Sequence, residues 1–369
     1  MKKIYHSLLL LCCLLISACN QQEQLSFSPM AYADLLRIHK AENWTGVEVL
    51  NAWQQGQVAQ RYILVPRDIE IPENLPAGTL IRTPLERTVL FSAVHGGLFN
   101  DLHCADHIAG MCDTDYILND SLRQRIANRQ IADMGSSMQI DLERMVAAKP
   151  DAFFVSPFEN AGYGALATLD IPLIECADYM ETSALGRAEW MKFFGLLMGR
   201  EQEADSLFSE VEKDYLQLSQ LVKKREDKPT LLCDLKQGSA WYVPGGNSYI
   251  GRLFEDAGAR YLFADNQKNG SVAMAFENVL AKGHNADIWV IKYGRDIPYT
   301  YSSLAEEYPL NKQFKAWTNK KIFGCNTLKC LFFEEVPFHP NRLLRDMVKI
   351  FHPEVLPDYQ PIYYHPISE

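Results

Sequence analysis

Several chemistries are excluded by what this 369-residue chain does not contain. There is no Cys-x-x-Cys pair among its nine cysteines, so a zinc knuckle or a thioredoxin-like centre is not expected. There is no Gly-x-Ser-x-Gly elbow, no His-Glu-x-x-His and no phosphate loop. No apolar run reaches the about 20 residues of a membrane-spanning helix. Lys and Arg number 36 against 46 Asp and Glu, without a basic cluster, so nucleic acid is not expected as a partner. Disorder is not expected either, because hydrophobic residues make up 47% of the chain and are enough to fill large cores.

What is present begins at the N-terminus. Lys2 and Lys3 precede an apolar run from Leu8 to Ile16, which ends in Ile16-Ser17-Ala18-Cys19. The run has the size of a secretion-signal core, and the last four residues resemble a bacterial lipobox. Cleavage before Cys19 and lipidation of Cys19 are therefore expected. They would place the protein on the periplasmic side of the cell envelope, lipid-anchored, with residues 1–18 removed. The mature chain would carry 34 Lys and Arg against 46 Asp and Glu, a net charge of −12. Six cysteines remain after Cys19: Cys104, Cys112, Cys176, Cys233, Cys325 and Cys330. The compartment permits disulfides, but spacing alone does not pair these residues.

Along the chain, residues 20–24 read as a polar tether. The segment 44–90 alternates and is rich in strand formers: Val47, Val49 and Trp53 share one parity, Gln54-Gln55-Gly56 marks a turn, and Tyr62-Ile63-Leu64-Val65 is stopped by Pro66. Residues 19–85 thus read as a tether and a small β-rich addition. From Thr88 short apolar strands alternate with helices. Strands are expected at 89–91, 108–111, 151–155 and 171–175, and helices at 97–107 and 141–148, giving an α/β lobe over 86–182. Residues 183–227 read as helical. Ala204, Leu207, Phe208, Val211, Tyr215, Leu218 and Val222 form one stripe, and Gly195 and Gly199 are candidate breaks. A second α/β pattern fills 228–369, with strands at 231–233, 288–291 and 321–323 and helices at 251–258, 276–281 and 341–351.

Three segments carry a family resemblance. Asp141-Leu142-Glu143, running on to Lys149-Pro150-Asp151, resembles the N-L-E-x-I-x-x-L-K-P-D segment of periplasmic binding proteins for cobalamin and iron chelates. Leu185-Gly186-Arg187-Ala188-Glu189-Trp190 resembles the start of that family's linker helix. Ala275-Phe276-Glu277-Asn278-Val279-Leu280, followed by Asn285-Ala286-Asp287, resembles its second-lobe segment. The similarity covers residues 85–350. It implies an α/β fold of two Rossmann-like lobes bridged by a long rigid α-helix, with the β-rich segment as an addition. It also implies a solute-binding lipoprotein of an ABC importer, a monomer without a cofactor and not an enzyme. Such a protein takes a metal chelate (cobalamin or another corrinoid, a ferric siderophore or haem) in the inter-lobe cleft and delivers it to the permease.

The same resemblance makes Glu143 and Glu277, one on each lobe, the expected permease-docking carboxylates; the bland alternative is a solvated residue at a helix start. The cleft loops would be 113–116, 135–138, 158–163, 237–242 and 325–333. Their aromatics, Tyr116, Phe158, Tyr163, Trp241, Tyr242, Phe332 and Phe333, suit a large flat ligand, although aromatics fill cores equally well. Trp241 is the leading candidate, because a Pro-Gly-Gly turn begins three residues after it, at Pro244. Asn160, Lys292, Arg295 and Asn326 are the polar candidates. A rival reading takes His95, His103 and His107 as ligands for bare zinc or manganese, with Asp106 and Asp113 nearby; a solvated helix face is the simpler account, since spacing supplies two ligands and zinc needs four. A hydrolase using Asp113 and Asp115 or Glu334 and Glu335 is the remaining alternative, and it needs carboxylates held about 5–10 Å apart across a sugar.

Overall fold

The strand-rich N-terminal segment pairs with itself. The computed structural model describes residues 26–160 and 162–369, so Cys19, the signal and the tether lie outside the described residues. The first sheet runs β1 (Ser28–Pro29), β2 (Leu36–Lys40), β3 (Thr45–Leu50), β4 (Val58–Pro66) and β5 (Thr79–Thr83) in that order. Strands β1 to β4 are antiparallel neighbours, and β5 returns parallel to β4. Val47 and Val49 point inward together, as their shared parity requires. Gly56, at φ 80°, closes the β3–β4 hairpin in a conformation that favours glycine. The sheet is not a detached module. Tyr62 stacks on Phe193 at 5.8 Å, and its hydroxyl donates to the Leu173 carbonyl and accepts from the Glu175 amide.

The first lobe alternates: β6 (Thr88–Leu90), α1 (Ala93–Asp101), β7 (Ile108–Met111), α2 (Asp120–Ala127), β8 (Ala132–Asp133), α3 (Leu142–Ala147), β9 (Ala152–Val155) and β10 (Leu173–Glu175), of which α2 and β8 are additional to the elements expected from the sequence. All strand pairs are parallel, in the order β10-β9-β6-β7-β8. The helix expected over 97–107 starts earlier and ends earlier. Ser92 caps it by accepting from the Val94 amide, and His103, at φ 53°, lies beyond its end.

The expected linker helix is three pieces, α4 (Ala184–Glu189), α5 (Met191–Met198) and α6 (Glu201–Val222). Gly199, at φ 62°, ends α5 in a left-handed cap, whereas Gly195 stays inside α5. Of the predicted stripe on α6, Ala204, Phe208, Val211, Tyr215, Leu218 and Val222 are buried and Leu207 is half-buried.

The second lobe contains β11 (Thr230–Cys233), β12 (Lys236–Gln237), β13 (Ala240–Pro244), α7 (Tyr249–Asp256), β14 (Arg260–Tyr261), β15 (Ser271–Met274), α8 (Phe276–Gly283), β16 (Ile288–Tyr293), α9 (Tyr301–Glu307), α10 (Lys315–Thr318), β17 (Ile322–Asn326), α11 (Phe332–Glu335), α12 (Pro340–Phe351) and β18 (His365–Pro366). The main sheet runs β14-β11-β16-β17-β18, parallel except for β18, and β12-β13-β15 form a small antiparallel sheet. The lobes share one plan: the first strand, β6 or β11, has its successor on one side and later strands on the other. They meet where α11 packs on α1, and α6 runs against α12. Gly97 permits the α1–α11 contact, since a Cβ there would come within 2.1 Å of the Glu334 carbonyl oxygen. No helix among the described residues is long and apolar enough to cross a membrane.

Candidate ligand cleft

In open parallel sheets a ligand site forms beyond the carboxyl ends of the strands, where the strand order reverses. In the first lobe that point lies between β6 and β9, and in the second between β11 and β16. The residues leaving these strands are Phe91 and Ser92, the 156–158 turn, Asp234, and the end of β16 at Lys292 and Tyr293.

Lys292 is the cation at the second switch point. Its ammonium lies 5.4 Å from the Phe332 ring centre and 6.0 Å from that of Phe333. Burial works against its charge, but Asp234, joined by Tyr249, Cys325 and Cys233, outweighs it and holds the amine above its ordinary range. Burial raises the Asp234 carboxyl in turn, with Lys292 opposing it. Asp234, at φ 59°, was not foreseen; it has no sequence signal beyond following an apolar strand.

The expected aromatics separate into two groups. Tyr116 and Phe158 are 67% and 62% exposed, and Phe333 is 48% exposed. Tyr242 is also exposed, on the outward side of β13, and Tyr163 is half-buried. Trp241 is a correction. It is fully buried, 5.6 Å from Trp289 and 5.7 Å from Phe314, and its indole N–H donates to the Cys233 carbonyl. The Pro-Gly-Gly turn does follow it, but Trp241 sits inside a strand whose period of two turns Trp241 and Val243 inward and Tyr242 outward. Phe332 is likewise buried, edge-on to Tyr363 at 5.7 Å, so its ring supports the site rather than facing a ligand directly.

Among the polar candidates, Asn160 is exposed at φ 57°. Arg295 is engaged by Glu307 at 3.1 Å, and Asn326 spends its amide on the Arg295 backbone. Both brace the loop after β16. Glu143 and Glu277 are exposed, each in the first turn of its helix, α3 or α8. Each of those helices leads into the strand on the far side of its switch point, so the two carboxylates hold equivalent places in the two lobes.

The histidine reading is corrected. His95 is buried on α1 with its Nε2 3.3 Å from Asp178, His103 is exposed past the helix end, and His107 closes a separate 3-10 turn. The three imidazoles do not converge, because the helix that would have aligned them stops at Asp101. Asp106 pairs with Arg125, and Asp113 is held by Ser137. Among the described residues the one metal-sized group is Asp227, His352 and Glu354, and the guanidinium of Arg225 already binds both of its carboxylates. Of the paired carboxylates in the hydrolase reading, Asp115 is exposed, whereas Glu334 and Glu335 are occupied structurally. Glu334 accepts from the Leu118 and Asn119 amides at 3.0 Å each, and Glu335 accepts from the Tyr363 hydroxyl and pairs with Arg342.

A buried network joins the lobes beside the cleft. Asp178 bonds Arg187 at 2.9 Å as well as His95, and the Arg187 guanidinium lies 4.6 Å from the ring centre of Tyr249, at the start of α7. Burial works against the Asp178 charge, but Arg187 and His95 hold its carboxyl below the usual range. All six cysteines after Cys19 are free thiols, with Cys325 and Cys330 3.7 Å apart.

Comparison with known proteins agrees with this plan. An uncharacterized lipoprotein of Methanocaldococcus jannaschii is 26% identical over 312 residues, covering 80% of this chain and 73% of its own. Among solved structures, a periplasmic heme binding protein from Pseudomonas aeruginosa superposes with a TM-score of 0.61 at 15% identity, over 77% of this chain and 99% of its own. An ABC-type Fe3+-hydroxamate transport protein from Saccharomonospora viridis gives 0.58 at 19% identity, over 73% and 94%. At these identities the structures show the fold alone. Residues 91–327 match the family described as periplasmic binding protein, and with two lobes of one plan joined by α4 to α6, this chain belongs to that family of solute-binding proteins.

Proposed function

We propose that the chain, lipid-anchored through Cys19 on the periplasmic side of the envelope, binds one metal chelate between its lobes and delivers it to an ABC importer permease. The observation that carries this reading is the set of side chains at and beside the two switch points. Phe158 is exposed in the turn after β9, and Lys292, at the end of β16 with Asp234 as its charge partner, lies 6.0 Å from the exposed ring of Phe333; Tyr116, after β7, is a further exposed ring on the first lobe. Rings bury much area with little loss of side-chain freedom, which suits a flat or bulky chelate. An anionic ferric catecholate would call for a cluster of Arg and Lys, and these loops do not supply one. A corrinoid or an uncharged siderophore fits better, with haem as the next choice. Glu143 and Glu277 are the proposed permease contacts. Native mass spectrometry of residues 20–369 with cobalamin, haem, a panel of ferric siderophores and zinc tests the reading. One chelate bound at 1:1 is the expected result. Zinc alone, or tight binding of an anionic catecholate with no affinity for cobalamin, would overturn it.

A further inference from the structure

The β-rich addition builds a second cavity against the first lobe. It measures about 370 Å³ and lies between the β3–β4 hairpin and the carboxyl ends of β9 and β10. Trp53 and Gln60 line it from the hairpin, and Phe158, Asn160, Tyr163 and Glu175 from the lobe. It is within the size range of small-molecule sites. Phe158 belongs to the turn after β9, at the first switch point, so the cavity adjoins the proposed cleft.

Its chemistry is unbalanced. Glu175 is only 9% exposed, and its carboxylate accepts from the Gln60 amide at 2.9 Å. Among the described residues no Lys, Arg or His pairs with Glu175, and none lines the cavity. The Tyr163 hydroxyl is also buried and has no hydrogen-bond partner. Burial and the nearby Glu175 charge both raise the Tyr163 phenol above its ordinary range, so it stays protonated. A buried carboxylate without a cation is costly to keep, and an incoming cation removes that cost. Rings beside a carboxylate add attraction for an organic ammonium through their π faces.

We propose that this cavity is a subsite for an alkylammonium group, with Glu175 as its counter-ion, Tyr163 as a polar contact and Trp53 and Phe158 as its walls. The ammonium would come either as a pendant amine on the chelate, which rests on the reading above, or as a free organic amine. The test is calorimetry on residues 20–369 with three probes: a linear ferric trihydroxamate ending in a primary amine, its N-acetyl derivative, and butylammonium. The expected result is about tenfold tighter binding of the amine form than of the acetylated form, with the preference lost in Glu175→Gln and reduced in Trp53→Ala. Trp53 lies at the hairpin tip, so its variant keeps the test open if Glu175→Gln fails to fold. Binding of butylammonium, abolished by the same substitutions, with neither chelate bound would assign the free amine as the source and sink the chelate reading alone. Equal affinity for the two chelates and no binding of butylammonium would overturn the subsite and leave the cleft reading intact. No binding of any probe would also overturn the subsite.

Discussion

The fate of Trp241 shows what a residue pattern can and cannot reveal. Local turn chemistry after Val243 was legible, but the antiparallel pairing of β13 with β12 and β15 was not, and that pairing sets which side chains face inward. Trp241→Ala should therefore cost about 3–5 kcal/mol in urea unfolding, the usual price of emptying an aromatic core site, with ligand affinity of the folded protein changing little. A large loss of affinity at unchanged stability would return Trp241 to the binding site. Glu181 offers a second residue-level prediction. Its carboxylate accepts from the Asp34 and Leu35 amides and the Trp190 indole, and burial, only partly opposed by these bonds, pushes its pKa up to about 7 from an ordinary 4.5. The folded chain thus holds this proton more tightly than the unfolded chain. Stability from Glu181 is greatest below pH 4.5, falls as pH rises toward 7 and is flat above it. Between pH 5 and pH 8 the wild type should lose about 2–3 kcal/mol more than Glu181→Gln. Parallel pH profiles for the two proteins would show that Glu181 titrates normally.

At the scale of elements, the strands and helices that carry strong periodicity were legible: β7, α3, α8, α12 and the stripe on α6 lie where the pattern puts them. What the sequence could not show is how elements are tied to one another. Glu189 accepts from the amides of Ala31, Tyr32 and Ala33, and with Glu181 it ties the N-terminal strand segment to the linker region through carboxyl acceptors whose partners the sequence does not reveal. The lobe contact was equally hidden. It depends on a missing side chain at Gly97, and a glycine inside an apolar helix gives no hint of its partner. Gly97→Val must displace the Glu334 backbone, since the obstacle is main chain and not a flexible side chain. The expected outcome is a loss of about 1–3 kcal/mol, with faster hydrogen exchange at the Leu118 and Asn119 amides that Glu334 holds. Unchanged exchange at those two amides would mean that α11 rests on α1 without bracing the lobes.

At the scale of the molecule, the arrangement is a pair of lobes held nearly fixed. The α1–α11 contact, the His339–Asp101 pair at 2.8 Å and the His95–Asp178–Arg187–Tyr249 chain all cross between parts that a freely hinged protein would keep apart. A rigid two-lobed body gives a permease a defined spacing between contacts on each lobe, which is the property that docking through Glu143 and Glu277 would use. Both carboxylates are exposed and free of ion pairs among the described residues, and they hold matching positions ahead of β9 and β16. Exposed charges of this kind govern orientation and association rate rather than the affinity of a distant ligand. The double substitution Glu143→Arg and Glu277→Arg should accordingly abolish uptake of the bound chelate in cells, while the purified variant keeps its ligand affinity within about threefold of wild type. Each single reversal should leave partial uptake, because one lobe still engages. If affinity collapses together with uptake, the two carboxylates line the ligand site; if uptake persists in the double variant, the permease reads another surface of these lobes.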